Sequence, residues 1–227
     1  MPHSTAPPRR VLVIQAHPDD ADISSGGTIA RWAREGRACH YVFVTSGNRG
    51  SQDPTMTPDK LLAIREREAL AAAAVLGVTT TTFLRHEDGA VEDTLALRRG
   101  LAHLIRQVQA DVLMTHDPWA RYRLHPDHRA VGFAALSAIV TAGNQMIPGE
   151  CAAYTVQEVY LFHSDQPDHG EDISTTFDVK MQAIHQHESQ TRFGEAPMAR
   201  VREWAQRSGA KYGVPLAEEF KRIGTRH

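Results

Sequence analysis

A chain of 227 residues, 41% of them apolar, can bury a sizeable core, which excludes an intrinsically disordered protein. Its formal net charge of -2 gives no electrostatic reason to expect nucleic acid or an anionic membrane surface as partner. No apolar run nears the roughly 20 residues that span a bilayer, so no membrane association is expected.

Residues 1–10 are polar and Pro-rich and end in Arg9 and Arg10, with no apolar stretch behind a basic start. They read as a flexible tail ahead of a single domain over residues 11–227, in a cytoplasmic protein. Residues 11–14 (Val-Leu-Val-Ile) form a β-branched apolar run, a buried parallel strand. Residues 28–34 have helical character and stop at Gly36. Residues 41–44 are a second strand, followed by a long Gly/Ser/Asn/Pro-rich loop at 47–58 of the kind that tends to be functional. Residues 61–76 form an Ala-rich helix with Gly77 as C-cap, and 80–84 a third strand. Residues 94–109 carry Leu97, Leu101, Leu104, Ile105 and Val108 on one stripe. A strand at 111–115, a helix at 127–140 and a strand at 156–162 follow, and helices at 177–188 and 198–208 close the chain.

Alternating strands and helices predict an α/β fold: a Rossmann-like, doubly wound, mostly parallel sheet with helices on both faces. Sites in such sheets lie beyond the C-terminal strand ends, and polar residues gather there: His17-Pro18-Asp19-Asp20, Thr45-Ser46-Gly47 and His116-Asp117-Pro118. No G-x-G-x-x-G follows the first strand, which disfavours a dinucleotide. Cys39 and Cys151 are far apart and lack C-x-x-C spacing. They predict neither a disulfide framework nor a thiolate zinc site, only small buried apolar residues.

Two clusters carry chemistry. In Ala16-His17-Pro18-Asp19-Asp20, Pro18 stiffens the exit from the strand. Adjacent carboxylates repel unless a cation intervenes. An imidazole and one carboxylate are natural zinc ligands, which leaves the other carboxylate free to act as a base. The plain alternative is a solvated Asp-Asp turn capping the next helix. In His125-Pro126-Asp127-His128, one imidazole could complete a two-His, one-carboxylate set. The other could bond a reacting oxygen, oriented by Asp127. Here the alternative is an Asp N-cap with incidental surface histidines.

The motifs A-H-P-D-D, Gly26-Gly27-Thr28, Thr45-x-Gly47, Arg65-x-x-Glu68 with Leu76-Gly77, Asp88-Gly89, H-P-D-H and His187-x-Ser189-Gln190 resemble the LmbE/PIG-L family of zinc-dependent N-deacetylases. The resemblance implies a zinc ion, one per chain, on His17, Asp20 and His128, with other divalent transition metals also possible there. It implies Asp19 as general base for water attack on the amide carbonyl of an N-acetylated amino sugar. His125, protonated and with Asp127 beside it, is the implied donor to the oxyanion. Substrate contacts are implied for Arg65 and Asp88, against the plainer readings of a helix-surface salt bridge and a turn residue. Ser46, with Asn48, could line the pocket from the loop after the second strand. A homotrimer or hexamer is also implied. Asp22 stands where relatives usually carry Glu, and the chain lacks the extra C-terminal length of some sugar-specific members. An amidase acting on a thiol conjugate, a metal-dependent phosphoesterase and a non-catalytic small-molecule binding module are the rival readings. His116 is expected to support the site at most, and His185 and His187 to be structural or pocket residues. His40, His86, His103, His163 and His169 are expected on the surface.

Overall fold

The computed structural model describes residues 9–191 and 195–225, so residues 1–8 of the expected tail lie outside it. Arg10, assigned to that tail, instead opens the first strand, its N–H donating to Asp111 Oδ2 at 2.8 Å. In chain order the elements are β1 (Arg10–Gln15), α1 (Asp20–Arg34), β2 (Ala38–Thr45), α2 (Pro58–Leu76), β3 (Thr80–His86), α3 (Leu95–Val108) and β4 (Val112–His116). There follow α4 (Pro126–Gly143), β5 (Glu158–Phe162), β6 (His169–Asp172), α5 (Phe177–His185), α6 (Glu188–Thr191), α7 (Glu195–Tyr212) and β7 (Ala217–Gly224).

The strands form one sheet in the order β3-β2-β1-β4-β5-β7-β6, with β1 to β5 parallel and β7 antiparallel to both its neighbours. Period-two alternation divides the core. Val11, Val13, Tyr41, Phe43 and Met114 pack toward Ile29 and Trp32 of α1 and Ala69 of α2. Leu12, Ile14, Val42, Val44 and Leu113 pack toward Leu97 and Leu101 of α3 and Ala134 and Ala138 of α4. The chain winds outward from β1 to β3, then returns to add β4 on the other side of β1. The switch point therefore lies between β1 and β4, the two strands whose ends carry the His-Pro-Asp motifs.

Two expectations need correction. The first helix begins at Asp20 rather than 28, because its Ser/Gly-rich opening looks like a loop in sequence. Ser24 and Ser25 donate back to the carbonyls of Asp20 and Ala21, and Gly26 and Gly27 lie against Lys180 and Ile173. The chain also ends on a strand, not a helix: β6 is four residues long and β7 is rich in charge, which hid their alternation.

Arg106 holds the far end of α4. Its guanidinium, 6% exposed, donates to the carbonyls of Thr141, Ala142, Asn144 and Ile147, at and just beyond the C-terminal end of α4. Arg106→Met is expected to destabilise by about 3 kcal/mol, read as a lower denaturant midpoint. A change below about 0.5 kcal/mol would show that water satisfies those carbonyls equally well.

Candidate active site

β1 ends and α1 begins within five residues, so His17, Asp19 and Asp20 are all fixed at one strand terminus. Asp19 occupies the N-cap position of α1 but makes no side-chain capping bond, which disposes of the capping-turn alternative. Asp20 turns back and accepts the N–H of His17 at 2.7 Å. At the end of β4, Gly132 lets α4 approach closely: a Cβ there would come 2.7 Å from the carbonyl oxygen of His116. Pro126 sits in the first turn of α4, and its N-cap His125 leaves its side chain unused for capping.

The two motifs meet. His17 Nδ1 lies 3.2 Å from Asp20 Oδ2 and 3.2 Å from His128 Nε2, and His128 Nε2 lies 3.2 Å from Asp20 Oδ1. Donors held about 2.0–2.1 Å from a tetrahedral zinc stand about 3.3–3.4 Å apart along an edge; the two imidazole nitrogens have close to that spacing, and each has its own Asp20 oxygen at the same distance. Two imidazole nitrogens and a carboxylate also form a suitable zinc donor set. Two other groups of donors overlap this one, His17/His125/His128 and Asp20/His116/His128, and a third, His17/Asp88/Asp127, lies behind it.

That third group has a different task. His17 Nε2 is 3.2 Å from Asp88 Oδ1 and 3.3 Å from Asp127 Oδ2, the arrangement by which carboxylates fix the tautomer of a ligating imidazole. Burial favours neutral His17, but Asp127, Asp20 and Asp88 outweigh it and lift its pKa to about 12. So many carboxylates around one imidazole call for a cation, whether proton or metal. Burial likewise opposes ionisation of Asp20, yet its His116, His128 and His17 neighbours hold it well below the usual carboxylate range.

The placement corrects several expectations. Asp127, expected beside His125 in a catalytic role, is 0% exposed. It accepts the N–H groups of Gly89 and Val91 and faces His17, so it positions that imidazole and the Asp88 loop and does not reach substrate. Asp88, expected on the sugar, is 5% exposed between His17 and the Arg49 N–H. Arg65 is neither a surface salt bridge nor open to a sugar. At 3% exposure it donates to the Gly47 carbonyl at 2.8 Å and to Asp19 Oδ1 at 2.9 Å. Gly47 adopts φ +61°, and a Cβ there would overlap the Arg65 guanidinium, which accounts for Thr45-x-Gly47. Ser46 is bonded to Glu66 and lines a separate hollow with Asn48, Arg49 and His86. His125 is exposed, its ring 4.6 Å from that of His17 and 4.7 Å from that of His128. Burial and the charge of His17 and His128 push its pKa below the ordinary value, which opposes the protonated form expected of it.

Sequence reasoning undervalued two histidines. His116 Nε2 touches Asp20 Oδ2 at 3.2 Å and accepts the Ala16 N–H, and burial pushes its pKa down to about 4. His163, expected on the surface, lines the site's cleft, and burial keeps it neutral. The remaining motifs are structural. His187 and Asp22 form a buried 2.7 Å pair that also takes the Tyr41 hydroxyl, and Glu68 accepts the N–H and hydroxyl of Ser189. A cleft of about 560 Å³ opens on Asp20 and His128, with walls that include Arg123, Lys180 and Trp204.

The profile of the PIG-L family, described as GlcNAc-PI de-N-acetylase, matches residues 12–139, more than half of the chain. The chain belongs to this family. A diacetylchitobiose deacetylase of Thermococcus kodakarensis is 32% identical over 188 residues, covering 80% of this chain and 70% of that protein. A 1D-myo-inositol 2-acetamido-2-deoxy-alpha-D-glucopyranoside deacetylase of Streptomyces griseus is 35% identical over 179 residues, 68% of this chain but only 55% of the relative's length. Among solved structures, the N,N'-diacetylchitobiose deacetylase of Pyrococcus horikoshii superposes with a TM-score of 0.90 at 30% identity, covering 95% of this chain and 84% of that one. A 4-carboxy-2-hydroxymuconate hydratase of Pseudomonas putida reaches 0.84 at 25% identity over 96% and 98% of the two chains. The fold thus hosts more than one reaction, and the site must decide between them. No helix among the described residues is long and apolar enough to cross a membrane.

The His17 support gives a test within this PIG-L site. Asp88→Asn keeps an oxygen for the Arg49 N–H but turns an NH2 toward His17 Nε2, favouring the tautomer whose Nδ1 carries the proton. Zinc affinity is expected to fall about ten- to a hundredfold with little change in Tm, measured by competition with a chelator. Unchanged affinity would mean that Asp127 alone sets the tautomer.

Proposed function

We propose that this protein is a zinc-dependent hydrolase that removes the acetyl group from an N-acetylated amino sugar. The observation that supports it most is the 3.2 Å triangle of His17 Nδ1, Asp20 and His128 Nε2, with the uncapped carboxylate of Asp19 beside it. A zinc ion on those three residues supplies Lewis-acid chemistry, lowering the pKa of water from about 16 to about 7 and polarising an amide carbonyl.

The chain's own groups complete the reaction. Arg65 holds Asp19 by Oδ1, and no described group hydrogen-bonds Oδ2, which is therefore available to take the proton of the attacking water. A C–O bond forms at the acetyl carbon. His125, its ring beside those of His17 and His128, donates one N–H to the oxygen that gains charge. The C–N bond then breaks, and Asp19 passes its proton to the departing nitrogen, giving acetate and the free amine. The reading includes a cytoplasmic location, in line with the free cysteines Cys39 and Cys151. It also includes self-association as a trimer or hexamer, which light scattering on the purified protein checks.

Acetate and free amine released from N-acetylglucosamine and N,N'-diacetylchitobiose test the reaction. Equimolar release, abolished by a chelator and restored by zinc, is the expected result. Zinc uptake without acetate release from any N-acetyl sugar would move the site to another reaction, hydration of an unsaturated acid included.

A further inference from the structure

The cleft that opens on the donor triangle is far larger than an acetyl group, so the amine-bearing part of the substrate occupies it. Its lining carries four carboxylates and four lysine or arginine cations, but they are not paired one to one. Four carboxylates line it: Asp20, Asp165, Glu218 and Glu219. Each is already engaged: Asp20 by His17, His116 and His128, Asp165 by Arg121, Glu218 by Lys180 and Glu219 by Lys211. Lys180 and Lys211 are thereby neutralised as well. The two remaining cations on the walls, Arg123 and Arg207, make no hydrogen bond or ion pair with any described residue. The one charge that Arg123 senses is Asp20, which the metal site claims for itself.

A cleft with two guanidiniums left over attracts anions, and the planar fork of arginine suits phosphate and carboxylate oxygens. His163 on the same wall is kept neutral by burial and adds no charge of its own. Trp204, 49% exposed and one turn before Arg207 on α7, offers a flat apolar surface beside these cations, of a kind that packs against a sugar ring.

We propose that Arg123, assisted by Arg207, binds a phosphate or carboxylate on the amine-bearing part of the substrate, so that the preferred substrate is an acidic N-acetyl amino sugar. This rests on the deacetylase reading above.

Binding of the product-like amines to zinc-loaded protein tests it without relying on turnover. Glucosamine, glucosamine 6-phosphate and muramic acid present the same amine with no anion, a phosphate and a carboxylate. The protein is expected to bind at least one of the acidic amines about tenfold or more tightly than glucosamine, with a preference that weakens as salt is raised. Whichever is preferred identifies the anion. In the folded variant R123Q/R207Q the preference is expected to shrink to about twofold or less. Equal affinities for all three amines in the wild type would overturn the proposal, as would a preference that survives in R123Q/R207Q. Equal weakening of charged and neutral ligands in the variant would also overturn it, placing Arg123 at the reacting centre instead. A persistent anion preference with no acetate released from any acetylated counterpart would instead remove the deacetylase reading and leave the subsite standing.

Discussion

Asp19→Asn is expected to lower kcat by about a thousandfold while one zinc per chain stays bound. A positioned general base contributes roughly 10² to 10⁴ in rate, and Asn removes the basic oxygen with almost no change in shape. Arg65 keeps an amide oxygen to bond, so the buried guanidinium retains that hydrogen bond. Asp19→Ala is different. It takes away the carboxylate that pairs with a 3% exposed arginine, and a buried charge left without its partner costs about 3 kcal/mol or more. The alanine variant should therefore lose both activity and several degrees of Tm, whereas the asparagine variant loses activity alone. Zinc loss in Asp19→Asn would make Asp19 a ligand, and a residual rate within about tenfold of wild type would hand the base role to another group.

His128→Ala is expected to abolish zinc retention and activity together. Each donor to a zinc site contributes on the order of 3 kcal/mol, so losing one of three weakens binding by roughly two orders of magnitude. The overlapping donor groups make the comparison decisive. If Asp20 and His128 are ligands, whether with His17 or with His116, His125→Ala keeps its zinc and loses rate only. If the ion prefers His17, His125 and His128, both variants lose it. If it sits behind, among His17, Asp88 and Asp127, His128→Ala retains it. Metal content per chain after gel filtration reads all three outcomes.

Much of this was legible in the sequence, because strand-end motifs encode their own position. Short apolar runs such as residues 11–14 marked β1 to β5 as strands, and the polar residues that follow β1, β2 and β4 pointed to the strand ends. The candidate metal ligands stood out because His-Pro-Asp appears twice, each time ahead of a helix. What long-range contacts decide was hidden. Nothing local in Asp127 says that both its oxygens serve Gly89, Val91 and His17 rather than a neighbouring histidine. Arg65 reads as a helix-surface cation until Gly47 and Asp19, 18 and 46 residues away, close over it. His163 carries no motif, and only the pairing of β4 with β5 brings it beside His116 and the site. Glu218 lies on a strand too charged to read as one, yet it binds Lys180 and the N–H groups of Gly27 and Thr28.

The most direct test of the central claim is the position of zinc in crystals of the zinc-loaded protein, located by anomalous scattering at the zinc edge. One peak per chain is expected, about 2.0–2.2 Å from His17 Nδ1, an Asp20 oxygen and His128 Nε2, with Asp19 close by but not bound to it. A peak coordinated by His17 Nε2, Asp88 and Asp127, or no ordered peak at either place, would contradict it.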